Sequence, residues 1–202
     1  MRLVFVRESD LDHSGDAMTL TIFSGGAPID EAEFLAIGET PERIELFDGS
    51  LHVSPGPTPL HQRVSRRLAN ALDDGAAAAG LEVFEAVNVR LRPDRIPIPD
   101  VVIAASDIDV TELIIDAAAI RLVCEILSPS NSSTDRVLKM HYYATAGIEW
   151  YLLVDPEAGL FTLYQLDDTE YLTHSTVEIG GVLQLNEPVT ATIDPARLLG
   201  LR

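Results

Sequence analysis

Apolar positions change their period several times along the chain, and each change marks an element. In IELFDGSLHV, residues 44–53, two β-rich runs flank Asp48-Gly49, the signature of a two-residue hairpin. From Thr58 onward, Leu60, Val64, Leu68, Ala71 and Leu72 recur at helical spacing, and Gly80 suits the stop. Apolar, strand-favouring runs predict strands at roughly 81–92, 97–104 and 120–127. SPSNSST, residues 128–134, is a loop rich in capping residues, and it predicts a helix from Thr134 to Ala146 ended by Gly147. WYLLVDP, residues 150–156, reads as a buried strand, followed by a hairpin and a short tail. The pattern is weakest over residues 1–29, where TLTIF suggests a strand; Asp30 is placed to cap a short helix through Ile37. The order helix, hairpin, long helix, three strands, helix, strand, hairpin fits an α/β domain, a mixed central sheet flanked by helices.

Composition adds bounds. A chain of 202 residues, 47% hydrophobic and 23% charged, has the size of one globular domain, with residues 1–42 expected to pack as an N-terminal segment on a body formed by 43–202. The opening MRLVFVRESD holds an apolar run of four residues, short of a signal peptide's core, and no stretch approaches the ~20 apolar residues of a membrane span. The expectation is a cytoplasmic protein without a membrane partner. Cys124 sits in an apolar run and reads as a buried reduced thiol.

The net charge of −18 argues against simple nucleic-acid binding, because phosphate affinity comes mainly from lysine and arginine. The acids are not evenly spread. Residues 1–42 hold nine acids and two bases, residues 96–202 sixteen and five, but residues 43–95 hold seven of each. Within that neutral stretch, Arg63, Arg66, Arg67, Arg90, Arg92 and Arg95 form either a positive strip for a phosphate backbone or an ordinary solvated face.

Two acids interrupt apolar strand sequence: Asp100 in PIPDVVIA and Glu125 in RLVCEILSP. A lone carboxylate in a buried strand is costly unless paired or bound to a metal. Neighbouring strands would bring the two together, where a hard cation such as Mg²⁺ satisfies both. The chain's bases include a single lysine, Lys139, against thirteen arginines. An ammonium is a compact charge that a guanidinium does not replace. From the helix after the Glu125 strand it would orient a water or stabilise charge growing on a phosphate. The competing account of Lys139 is an exposed helical ion pair with Asp135, worth about 0.3–0.5 kcal/mol.

These residues resemble the PD-(D/E)xK nuclease superfamily. The usual form has its lysine two positions after the second acid, a place held here by Leu127. EILSPS followed by DRVLKMHYYATAGIEWYLLVDP is similar to the Uma-type branch of putative restriction endonucleases, whose lysine is displaced onto the following helix; the likeness spans about Ile44 to Asp155. The resemblance implies a restriction-endonuclease-like fold and metal-dependent hydrolysis of DNA phosphodiesters, using Mg²⁺ with Mn²⁺ as substitute. It implies that Asp100 and Glu125, with the carbonyl of Ile126, hold the ion, that Lys139 acts on water and phosphate, and that Glu45 is the acid before the DG turn. DNA binding is expected to be weak and salt-sensitive, and cutting a duplex would suit a homodimer. The alternatives are a nuclease-fold protein that serves as an interaction module without catalysis, and a phosphodiesterase for small substrates. For the remaining residues plain accounts serve: Glu45 as a hairpin acid facing solvent, Tyr143 as packing, Asp155 as a turn former, and His61 as a surface or interface residue of a helix's first turn, with a hydrogen bond to a ligand as its alternative. His52 and His141 lack zinc-ligand spacing with any cysteine.

Overall fold

The computed structural model of the chain describes residues 20–22, 27–38, 40, 42–128 and 133–201, with backbone alone at 20–22 and 133–136. Expectations placed on residues 1–19 and 129–132 lie outside the described residues, as does the side chain of Asp135. Strand β1 (Leu20–Ile22) carries part of the TLTIF run, and helix α1 (Glu31–Leu35) starts at Asp30, whose side chain forms a reciprocal capping box with Glu33. The hairpin consists of β2 (Arg43–Phe47) and β3 (Ser50–Ser54), with β1 paired on the far side of β3. Asp48 and Gly49 both have positive φ, 50° and 77°, as a type I′ turn requires. A Cβ on Gly49 would also stand 2.5 Å from Pro28 Cβ, so the turn needs glycine for space as well as for conformation.

Helix α2 (Pro59–Ala78) is capped by Thr58, whose hydroxyl accepts from the His61 amide. Its buried stripe of Val64, Leu68, Leu72 and Ala76 covers one face of the central sheet, packing among Val101, Ile103, Leu122, Cys124 and Ile126. That sheet is built from β4 (Leu81–Glu85), β7 (Val101–Ala105), β9 (Ile120–Ile126), β10 (Trp150–Asp155), β11 (Leu160–Asp167) and β12 (Glu170–Glu178), in the order β12-β11-β10-β9-β7-β4. The β9–β10 pair is parallel and the others antiparallel, with α3 (Ser133–Thr145) making the crossover between β9 and β10. Tyr143 of α3 joins Val102, Val123, Ile148 and Tyr151 in a second cluster on the opposite face from α2. This is the expected α/β arrangement, a mixed sheet between helices.

Two expected strands are split. The run 81–92 breaks at Ala86, which has φ 53°, and β5 (Asn88–Arg90) leaves the central sheet to pair in parallel with β8 (Ile114–Asp116), a strand without a sequence signal strong enough to notice. The run 97–104 is interrupted by Pro97 and Pro99, which lack the amide a ladder needs. Residues Arg95–Ile96 form β6, which pairs with β2, and β7 begins only after Asp100. The tail forms a ribbon of β13 (Leu183–Leu185) and β14 (Ala191–Ile193), then α4 (Pro195–Leu199). Cys124 is buried and free, and burial raises its thiol pKa well above the ordinary value. No helix among the described residues is long and apolar enough to cross a membrane.

Candidate active site

The break before β7 creates the site. Val101 pairs with Cys124, so Asp100, one residue earlier, arrives beside the end of β9, where its Oδ2 accepts the Ile126 amide at 2.8 Å. Glu125 points to the α3 face from the same strand end, and Tyr143 of α3 donates to its Oε1 at 2.5 Å. One turn earlier on α3, Lys139 places Nζ 2.9 Å from Glu45 Oε1 and 3.6 Å from Glu125 Oε1. Glu45 enters from β2, and its Oε1 also accepts the Ile98 amide at 2.9 Å. All four side chains are buried: Glu45 at 3% exposure, Asp100 at 4%, Glu125 at 5% and Lys139 at 6%.

Two further residues complete the cluster. Arg43, two positions before Glu45 on β2, donates from Nη1 to Asp100 Oδ1 at 2.8 Å. His61, in the first turn of α2, lies with Nε2 3.1 Å from Asp100 Oδ2. All six line a cleft of about 50 Å³, walled by the 54–58 segment on one side and Ser128 on the other. The structure therefore brings together the four side chains singled out in the sequence and adds His61, for which a ligand contact is one of two readings, and Arg43, which ordinary sequence signals do not distinguish. It puts the Ile126 amide on Asp100; the carbonyl's role is a separate matter.

Electrostatics divide the three carboxyls. Burial works against charge on Asp100, yet the hydrogen bond from His61 and the Arg43 guanidinium more than offset it and hold the carboxyl below its usual range. For Glu45, Lys139 and Arg43, with the Ile98 amide, likewise overcome burial and lower the pKa. Glu125 goes the other way. Its burial outweighs the help of Lys139, and the charge of Asp100 adds to the rise, so its carboxyl is pushed up to about 7. Arg43 is disfavoured by burial but held firmly charged by Asp100, Glu45 and Glu125.

The profile of the Uma2 family, described as "Putative restriction endonuclease", matches residues 31–196. The chain belongs to the Uma2 family. Among solved structures it is similar to a putative nuclease belonging to DUF820 from Anabaena variabilis, with TM-score 0.70 and 18% identity over 86% of this chain and 98% of that one. At that identity the likeness bears on the fold, which is restriction-endonuclease-like. A DrdV–DNA complex overlaps at TM-score 0.35 and 16% identity, over 70% of this chain and 13% of that one, too distant to bear on ligand or fold. No curated protein matches the chain.

Uma2 membership implies a divalent cation, and the donor set can be tested against one. Among the described residues no three His, Cys, Asp or Glu side chains form a ready-made cage. Mg²⁺ does not need one, since it keeps several waters and takes one or two carboxylates. Asp100 Oδ1 has a single protein donor, and Glu125 Oε2 has none among the described residues. Hard oxygens facing a cleft, with burial and the neighbouring Asp100 holding Glu125 back from ionisation, fit a hard cation.

The arginine strip fares differently in this Uma2 protein. Arg63 and Arg67 donate to the carbonyls of Leu199, Arg197 and Leu198 at the end of α4. Arg90 is held by Glu31 and Asp116, Arg92 by Asp94, and Arg95 by Asp48. Most of the strip ties elements together.

Proposed function

We propose that the chain is a metal-dependent phosphodiester hydrolase acting on DNA. The observation that carries the reading is the pair of buried carboxylates, Asp100 and Glu125, at adjacent strand ends beside the buried ammonium of Lys139, all lining one cleft. Family and fold support it. Mg²⁺, or Mn²⁺ in its place, would be held by Asp100 and Glu125 with the Ile126 carbonyl, and when bound it supplies an activated water and neutralises phosphate charge.

The chain's own groups do the rest. Arg43, His61 and the Ile126 amide fix the orientation of Asp100 by occupying three of its lone pairs. Tyr143 fixes Glu125 in the same way. Lys139 Nζ, held on Glu45 and 3.6 Å from Glu125, would stabilise an attacking water or a phosphate oxygen gaining charge. A cytoplasmic homodimer, one site for each strand of a duplex, belongs to the same proposal.

Incubation of the purified protein with supercoiled plasmid at low salt tests the reading. Nicked or linear DNA is expected with Mg²⁺ or Mn²⁺, and intact DNA with EDTA or with Asp100→Asn. A second reading, an interaction module that keeps the fold without turnover, is favoured by the protein's −18 charge. Plasmid left uncut under both metals would favour it.

A further inference from the structure

Arg43 carries a bonding edge that the protein leaves unused. Its Nη1 is committed to Asp100. The opposite edge is formed by Nε and Nη2, and Nε is shielded from solvent with no hydrogen-bond partner among the described residues. Buried polar atoms are nearly always paired, and an orphaned donor on a charged group calls for a reason. Nε itself is covered, but the side chain that carries it is 21% exposed and lines the cleft, so a small shift of the guanidinium brings the whole edge to a ligand there.

Arg90 shows what the same edge does when filled. Its Nε and Nη2 take both oxygens of Glu31, at 2.9 and 2.6 Å. The fork fits any planar or tetrahedral anion that offers two oxygens side by side, and phosphate is the commonest such ligand. The acids near Arg43 do not serve: Asp100 bonds only Nη1, while Glu45 is engaged by Lys139 and the Ile98 amide. The positive end of the twenty-residue α2, at Thr58 and His61, opens on the same cleft and favours an anion there.

We propose that Arg43 is a substrate-binding residue, its Nε–Nη2 edge receiving two non-bridging oxygens of a nucleic-acid phosphate while Nη1 stays on Asp100. This rests on the phosphodiesterase reading. It assigns to Arg43 a role distinct from that of Lys139: the arginine seats the phosphate, and the ammonium acts on the charge that grows during reaction. It also gives the cleft a cationic contact of its own, where most arginines of the 63–95 strip are engaged with carbonyls and carboxylates.

The test is binding rather than turnover. Fluorescence anisotropy of a fluorescein-labelled 12-base-pair duplex, in Ca²⁺ at low salt, compares wild type with Arg43→Lys, and with Arg66→Lys as an exposed control. Lysine keeps the charge and loses the fork. About tenfold weaker binding is expected for Arg43→Lys and no change for Arg66→Lys, while Mn²⁺, expected as a ligand of the native state to raise the melting temperature, should do so in Arg43→Lys as in the wild type. Three results would overturn the proposal: wild-type affinity in Arg43→Lys, no binding of the duplex by the wild type, or a parallel loss of the Mn²⁺ effect, which would make Arg43 only a holder of Asp100. Should Arg43→Lys fail to fold, Arg43→Gln removes fork and charge together, and wild-type affinity in that variant overturns the proposal in the same way. Failure of the hydrolase reading is separate: plasmid stays intact while duplex binding still depends on Arg43.

Discussion

Lys139 sits where a buried cation is hardest to remove. An exposed pair with Asp135 would contribute well under 1 kcal/mol, but the ammonium is buried between Glu45 and Glu125. Lys139→Met should therefore destabilise the fold by about 3 kcal/mol, the order found when one partner of a buried pair is deleted. Urea unfolding measures it, and a loss near 0.5 kcal/mol would return the residue to the surface account. Lys139→Arg should keep more stability yet lose activity, since a wide fork does not take an ammonium's place between two carboxylates. Glu125 offers a pH signature in the metal-free protein. Its pKa rises from 4.5 to about 7 on folding, so the native state holds a proton that the unfolded chain has lost. Its stabilising effect is complete below about pH 4.5 and falls by about 3 kcal/mol as pH climbs to about 7. Asp100 and Glu45, whose pKa values are lowered, act in the acid range instead, losing stability as pH falls. Glu125→Gln should flatten the decline between pH 5 and 7 in chemical melts, and an unchanged slope would remove Glu125 as its source.

At the scale of elements, the site depends on how α2 and α3 are seated. Helix α3 is tied to the hairpin by Tyr142, whose hydroxyl donates to Asp48 while its ring stacks on Phe47 and lies under the Arg95 guanidinium, 3.6 Å away. Helix α2 rests on the tail ribbon through Gly75, where an added Cβ would come 2.3 Å from the Thr190 carbonyl oxygen. Alanine is the better helix former by about 1 kcal/mol, but backbone at that distance has to move, so Gly75→Ala should cost a net 1–3 kcal/mol, roughly the range for overpacking. Gly56, with nothing within 4 Å of its Cβ position, is the control expected to tolerate alanine, and thermal melts of both variants decide. These contacts also show what could be read from the chain. The hairpin, α2 and α3 announce themselves through local signals: a DG turn, a helical stripe, capping residues. Asp100 and Glu125 stand out because they break apolar runs, and Lys139 because it is the one lysine. Arg43 and His61 have no such mark, since an arginine opening a strand and a histidine in a helix's first turn are ordinary. Their importance comes from pairings 57 and 39 residues away in sequence, which periodicity does not encode. The splitting of 97–104 had clues in Pro97 and Pro99, but the break of 81–92 at Ala86 and the destination of the freed strands depend on tertiary pairing.

For the whole molecule the question is how a body of charge −18 holds a polyanion. Long-range attraction is unavailable, and most of the arginines that might have supplied it are engaged, Arg63 and Arg67 on α4 and Arg90, Arg92 and Arg95 on carboxylates, with Arg66 exposed. Contact is then expected chiefly in the cleft, where Arg43 and Lys139 are the cationic side chains on the lining. Each phosphate neutralised contributes about −0.9 to the slope of log K against log salt, so two such groups lead to an expected slope of about −1.8 for duplex DNA. Binding should be weak and its salt dependence shallow. Arg67→Ser should lower the melting temperature, because the carbonyls of Arg197 and Leu198 lose their donor, and should leave the slope unchanged. A slope near −6, or one that Arg67→Ser reduces by about one unit, would show that the arginine strip meets DNA after all, and that its bonds to α4 give way when the duplex arrives.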